Sequence, residues 1–323
     1  MFDVVTIGET MIRLSPEGNL RWEQADQLCI HVGGSESNTA VGLARLGMSV
    51  SWLSRLTDHD FGRRIERTIA SHGVDTRHVV WTDQDRVGTY YFEEGSPPRG
   101  NRVIYDRAAS AFTRFAADQL PENLFTPGNA RLLHVTGISL ALCETTRTMI
   151  HRAVALAKQA GWRVSFDVNY RAKLWSVNEA RDACAELIRE ADLVIIPESD
   201  AVALWGFERS NDGVAALDAV AAMRGGRTTV VTKGAVGSAA TEAEMTVVET
   251  IKPVPVVGRL GGGDAFSAGF IYGWLGDLGL RKSLRWASAC AALKYSMSGD
   301  LPLFQKAEVA ALVNESDANT YFR

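Results

Sequence analysis

An α/β fold with a doubly wound, mostly parallel sheet flanked by helices, carrying a small β-sheet lid, is the class the sequence predicts. Three observations predict it. Short apolar runs rich in β-branched residues alternate with segments of helical periodicity along most of the chain. Two stretches break that rhythm with strand-like alternation. Toward the carboxyl-terminal end, three consecutive glycines run into a carboxylate and then into a small-residue, helix-like segment.

Taken in order, the run at 4–7 reads as a first buried strand, followed by helical periodicity at 40–46, a strand at 50–53 and a helix at 61–71. The pattern resumes with a strand at 132–135, a helix at 145–160, strands at 163–167 and 193–196 around a helix at 177–191, and a strand at 229–232. Such alternation requires crossover connections, which favour parallel pairing with helices on both faces. The interruptions cover 11–32 and 88–112, where Thr89-Tyr90-Tyr91-Phe92 and Arg102-Val103-Ile104-Tyr105 flank the turn residues Ser96-Pro97-Pro98-Arg99-Gly100. They read as hairpins outside the main sheet. The chain then divides into an α/β domain at 1–10, 33–87 and 113–323 and a β lid at 11–32 and 88–112. Two such insertions can meet as a small sheet over the carboxyl-terminal edge of the parallel strands, where open α/β folds bind ligands.

At 323 residues with 46% hydrophobic content, the chain can bury a large core. A net charge of −4 and a pI near 5.9 argue against a nucleic-acid footprint, so small molecules are the expected partners. The first residues carry Asp3 and no cationic stretch, so no signal peptide is read there, and no apolar run is long enough to span a bilayer. Cys29, Cys143, Cys184 and Cys290 lack CxxC spacing, and the six histidines lack HxxxH or HExxH patterns. A cytoplasmic protein with reduced cysteines is expected, binding neither nucleic acid nor membrane.

The densest chemistry lies in Gly261-Gly262-Gly263-Asp264-Ala265-Phe266-Ser267. Glycines can turn sharply and let a ligand approach the backbone, and the free N–H groups of a following helix start suit phosphate. Asp264 would repel a phosphate held for its own sake. It has a use if a substrate hydroxyl must lose a proton as it attacks phosphorus. The plain alternative is a glycine turn with an acid placed favourably on a helix dipole.

Together with its surroundings this motif resembles the ribokinase-like (PfkB) carbohydrate kinases over nearly the whole chain, most of all those acting on 2-keto-3-deoxygluconate. The stretch from Gly8 to Pro16 is similar to that subgroup's opening strand, and the stretch from Gly33 to Gly47 to the family's amino-terminal signature. Gly33 and Gly34 would free backbone amides beside the sugar, and Asn38 would bond hydroxyls through its carbonyl and its amide. Tyr90, Tyr105 and Arg107 match sugar-acid contacts in this resemblance. Arg107 lies two residues after Tyr105, so on a strand both share one face, and a guanidinium can grip the carboxylate that separates an aldonic acid from a neutral sugar. Arg171 and Asp300 complete the implied substrate set.

For ATP the resemblance implies Thr232, Lys233, Gly234 and Gly237 in the turn after a buried strand, together with Asn169, Arg171 and the cradle glycines Gly261 and Gly263. That turn also reads as a simple strand-to-strand connection. The small-residue segment from Ala287 to Lys294 is of the kind that packs closely or flanks an adenine. Two departures stand out. Gly258 occupies the place of an Asp associated with a monovalent-cation site, which predicts weak or absent potassium activation. The Asn-x-x-Glu element that organises Mg2+ is degenerate in Pro197-Glu198-Ser199-Asp200, where Asp200 would stand in, through water, with Glu198 nearby.

The expected activity is ATP-dependent phosphorylation of the primary hydroxyl of 2-keto-3-deoxygluconate, with Asp264 as base and the amides of Gly261, Gly262 and Gly263 stabilising the transferring phosphoryl group. Two alternatives stay open: another sugar kinase of the family, acting on fructose or a different keto-deoxy acid, and a catalytically silent sugar-acid sensor. A dinucleotide-dependent oxidoreductase is disfavoured because no GxGxxG follows the first strand. Exposed lid edges invite pairing, so a homodimer or higher homo-oligomer through the lid is expected.

Overall fold

The computed structural model describes residues 1–251 and 254–315. The chain begins β1 (Phe2–Ile7), β2 (Met11–Ser15), β3 (Cys29–Gly33), α1 (Ser35–Arg45), β4 (Val50–Leu53), β5 (Arg55–Thr57), α2 (Asp60–Ala70), β6 (Val80–Thr82), β7 (Thr89–Glu93) and β8 (Arg102–Asp106). It continues β9 (Ala130–Thr136), α3 (Gly137–Ala141), α4 (Glu144–Gln159), β10 (Arg163–Asp167), α5 (Val177–Glu190), β11 (Leu193–Pro197), α6 (Glu198–Trp205), α7 (Val214–Ala222) and β12 (Thr228–Thr232). β13 (Gly237–Glu242), β14 (Met245–Thr250), α8 (Gly262–Leu275), α9 (Leu280–Tyr295) and α10 (Lys306–Glu315) complete it.

Eight strands form the main sheet in the order β14-β13-β12-β11-β10-β9-β1-β4. From β12 to β4 all neighbours are parallel, as the alternation predicts. These strands are buried on both faces, which is why they read as continuous apolar runs. Val5, Ile7, Leu133 and Val135 face one core with residues of α4 and α5. Val4, Leu132 and Ile195 face the other, with residues of α1, α8 and α9. The small-residue helix α9 packs on α8, Ala287 and Ala291 sharing a core with Phe270 and Ile271.

Two features lie outside the sequence reading. β13 and β14 extend the main sheet antiparallel, and β5 pairs with β6 in a separate two-stranded sheet. The small residues Gly237, Ser238, Ala239 and Ala240 lack the β-branched signature that marks the other strands.

The two interrupting segments meet. β2 pairs antiparallel with β3, β7 with β8, and β2 with β7 in parallel, giving one four-stranded sheet ordered β3-β2-β7-β8. Since β3 ends at Gly33 and α1 begins at Ser35, this smaller sheet is joined directly to the helix whose first turn faces the carboxyl-terminal edge of the main sheet. Among the described residues no helix is long and apolar enough to cross a membrane.

Candidate active site

A cavity of about 390 Å³ opens between the smaller sheet and the carboxyl-terminal edge of the main one. Its wall includes Gly33, Gly34 and Asn38 from the start of α1, Tyr90, Tyr105 and Arg107 from the smaller sheet, Arg171, Gly261, Asp264 and Asp300. The substrate set expected from sequence is therefore brought together from segments up to 267 positions apart, between Gly33 and Asp300.

Asp264 sits in the first turn of α8 behind Gly261, whose φ of 75° is a left-handed conformation that favours glycine. Its carboxyl lines the cavity and accepts two hydrogen bonds, from Ser35 Oγ at 2.7 Å and from Asn38 Nδ2 at 2.7 Å. Both donors are neutral. Burial raises its pKa above the ordinary carboxylate value, opposed by those two bonds and by the charge of Arg171. The first-turn amides of α8 have no intrahelical partner, and a Cβ at Gly263 would meet nothing within 4 Å, so the protein leaves open space beside the cradle.

Asn38 departs from its expected role. Its amide is committed to Asp264 and its carbonyl accepts from Gly34 N at 3.4 Å, so it orients the acid rather than offering both groups to sugar hydroxyls. Asn169, expected at the nucleotide, donates to Ser35 Oγ at 3.0 Å, extending the chain of bonds behind Asp264. Ser35 was legible only as part of the glycine-rich motif, with no signal of its own.

The wall formed with the smaller sheet is a set of charge pairs that sequence spacing cannot reveal. Arg107 donates through Nε to Glu9 Oε2 at 2.8 Å and pairs with the same oxygen through Nη2, while Ser110 holds the other oxygen of Glu9. Its partner is thus Glu9 rather than the adjacent Asp106, which pairs with Arg86. Tyr90 donates to Asp300, and Arg13 Nε lies 2.8 Å from the other oxygen of that carboxylate. Tyr105 and Arg107 share one face, the guanidinium 5.7 Å from the ring centre. Among the described residues no acid forms a salt bridge with the cavity-lining Arg171 or Lys173; Lys173 donates to the Val103 carbonyl across the mouth at 3.0 Å.

Two further acids are buried here, Glu36 in the cavity wall and Asp167 outside it. Glu36 accepts from Thr136 and Ser139, each at 2.7 Å, and burial pushes its pKa up to about 7. Asp167 accepts from Ser267 at 3.2 Å, and burial, reinforced by the charge of Asp264, pushes it up to about 8.

Of the residues expected at the nucleotide, Arg171 and Gly261 line the cavity, whereas the turn after β12 lies outside its wall. Thr232, Lys233 and Gly234 follow β12, and Gly237 opens the antiparallel β13, so the segment is the strand-to-strand turn that sequence left as an alternative. Lys233 donates to the Ser210 carbonyl and lies 3.6 Å from Glu198. Asp200 accepts from Tyr170 N at 2.9 Å, and its pKa is raised by burial. Among the described residues no three His, Cys, Asp or Glu cluster as a metal cage. Asp200 and Glu198, both in the first turn of α6, are the carboxylates of this segment, and magnesium held mainly by phosphate oxygens and water would need few such acids.

The family profile "pfkB family carbohydrate kinase" matches residues 1–305. The chain is 37% identical over 316 residues to a 2-dehydro-3-deoxygalactonokinase of Haloferax volcanii, covering 98% of each. It is 29% identical to a 2-dehydro-3-deoxygluconokinase of Thermoproteus tenax, over 95% of this chain and 94% of that one. The crystal structure of the 2-dehydro-3-deoxygluconokinase of Thermotoga maritima superposes with a TM-score of 0.91 at 28% identity, covering 97% and 98% of the two chains.

Proposed function

Because the chain belongs to the pfkB family of carbohydrate kinases, we propose that it transfers the γ-phosphoryl group of ATP to the primary hydroxyl of a 2-keto-3-deoxy sugar acid. The substrate is 2-keto-3-deoxygluconate, also called 2-dehydro-3-deoxygluconate, and its galactonate epimer is the nearest competitor. One observation carries this reading: a cavity-facing carboxyl, held only by neutral donors, lies beside an open glycine cradle at a helix start.

In this reading the sugar lies between the smaller sheet and α1, its primary hydroxyl at Asp264. Asp264 takes the hydroxyl proton as the oxygen attacks phosphorus, while Asn38 and Ser35 fix its orientation. The amides of Gly261, Gly262 and Gly263 stabilise charge on the transferring phosphoryl oxygens. Arg107, one edge of its guanidinium held by Glu9, turns its remaining donors to the substrate carboxylate, with Arg171, Lys173 and the hydroxyls of Tyr90 and Tyr105 around it. Asp300, fixed by Arg13, takes a sugar hydroxyl. Thr232, Lys233, Gly234, Gly237 and Asn169 serve the nucleotide. Magnesium, when bound, neutralises phosphate charge; Asp200 and Glu198 would hold it through water. The smaller sheet acts as a lid that excludes water.

Replacing Asp264 with Asn preserves volume, and its carbonyl keeps the bond from Asn38 Nδ2 while its amide reverses the bond with Ser35 Oγ, which then accepts. Turnover should fall about 10²–10⁴-fold while calorimetry still detects sugar-acid binding; near wild-type turnover refutes the role of base. We assign the protein to the cytoplasm as part of this reading. We also propose a homodimer through the smaller sheet, whose outer strands expose Ile30 and Ile104. Light scattering that gives a monomer mass at micromolar concentration removes that part.

A further inference from the structure

A monovalent cation beside the glycine turn is implied by the family resemblance, and the residues present do not fit one. The carboxylate that would hold it is absent at Gly258, and a Cβ there would lie 2.7 Å from the Met297 carbonyl, so the position is closed by backbone. The amides of Val257 and Gly258 are both bonded to the Tyr295 carbonyl, at 2.7 and 3.2 Å, which ties this segment to the end of α9.

At that point the chain supplies a cation of its own. Lys294 lies in the last turn of α9, is wholly inaccessible to solvent, and donates through Nζ to the Met297 carbonyl at 3.1 Å. Helix carboxyl termini favour positive charge, so the ammonium sits where carbonyl oxygens call for a cation. Its stem runs behind the cradle: a Cβ at Gly261 would meet Lys294 Cε at 3.3 Å. Burial lowers its pKa from the ordinary lysine value, opposed by the negative charges of Asp300 and, more weakly, Asp264, both of which line the cavity. A buried lysine with one carbonyl partner is costly unless its charge has a use.

We propose that the Lys294 ammonium is a built-in replacement for a monovalent cation, a positioning residue that, held by the Met297 carbonyl with its stem against Gly261, supports the cradle from the end of α9 and makes it independent of potassium. The inference deepens the kinase reading and rests on it for its kinetic arm only.

Wild-type protein is titrated with potassium in a sodium-free buffer, and thallium(I) binding is followed by its NMR line width. Turnover and melting temperature should change less than twofold and less than about 1 °C respectively, with no thallium(I) bound. Lys294→Ala should lose about tenfold or more in kcat, bind thallium(I), and regain several-fold with potassium, ammonium or methylammonium; a purely structural lysine shows no such rescue. Several-fold potassium activation of the wild type, thallium(I) binding to it, full turnover by Lys294→Ala, or loss without rescue overturns the proposal. Should Lys294→Ala fail to fold, the wild-type titration and thallium(I) arms still decide. Should no sugar acid be phosphorylated, the kinase reading fails, and thallium(I) binding to wild type against variant still tests the cation.

Discussion

The two ends of the site are built differently. On the sugar side, side chains from distant segments are already paired with one another: Glu9 with Arg107 and Ser110, Asp300 with Arg13 and Tyr90, Asp264 with Ser35 and Asn38. The segment proposed for the nucleotide is a strand-to-strand turn with an exposed apolar side chain, Val236, and a lysine tied back to its own scaffold. The difference teaches where discrimination is built. In the proposed reading a sugar acid would be told from its relatives by oriented donors that must not collapse on one another, fixed before it arrives. Phosphates look alike whatever carries them, and backbone amides suffice for them.

Breaking the sugar side should produce the larger effect. Arg107→Ala is expected to raise the KM for a sugar acid about 10–100-fold, the worth of one charge-assisted contact, with a smaller change in kcat. It also strands Glu9 as a buried unpaired acid, so the variant is compared with Arg107→Ala/Glu9→Gln. A KM within twofold of wild type in both ends the carboxylate-clamp argument.

The cradle sharpens the comparison because two adjacent glycines should fail in different ways. At Gly263 a Cβ meets no protein atom within 4 Å, so Gly263→Ala should keep its melting temperature yet lose about tenfold in kcat/KM for ATP by intruding on the phosphate. At Gly262 a Cβ would overlap the Tyr295 ring, so Gly262→Ala should lose about 1–3 kcal/mol of stability. Unchanged ATP kinetics in Gly263→Ala would remove the cradle from the mechanism.

The smallest effect concerns the two buried acids Glu36 and Asp167. Glu36 has a folded pKa of about 7 against an ordinary 4.5, so the fold binds its proton more tightly than the unfolded chain does. Its contribution is whole below the unfolded pKa and is lost as pH rises toward about 7. Asp167, at about 8, acts in the same direction. Glu36→Gln can still accept from Thr136 and Ser139, and should flatten the decline in stability between about pH 5 and 7 by roughly 1–3 kcal/mol. Urea unfolding at several pH values reads this; an unchanged slope places the pH dependence elsewhere.

How much of this was legible beforehand follows the same division. The parallel sheet could be read because its strands are buried on both faces and carry β-branched runs, whereas β13, centred on Ala239 and Ala240, carried no such mark. Gly33 to Asn38 and Gly261 to Asp264 were legible because each motif is local, a turn and the helix it starts. Glu9 with Arg107 and Arg13 with Asp300 were not, since each residue alone reads as a solvated charge and its partner lies 98 or more positions away. Lys294 was hidden among the small residues of a packing helix, because spacing says nothing of what a buried ammonium faces.

The central claim is that this cavity phosphorylates a sugar acid, and the most direct measurement is product formation by purified protein with ATP and magnesium. The panel holds 2-keto-3-deoxygluconate, its galactonate epimer and fructose. The account predicts a phosphorylated keto-deoxy acid, with kcat/KM at least about 100-fold above that for fructose, the worth of one buried ionic contact. Equal turnover of the neutral sugar, or binding of the acid with no phosphorylated product, would contradict it.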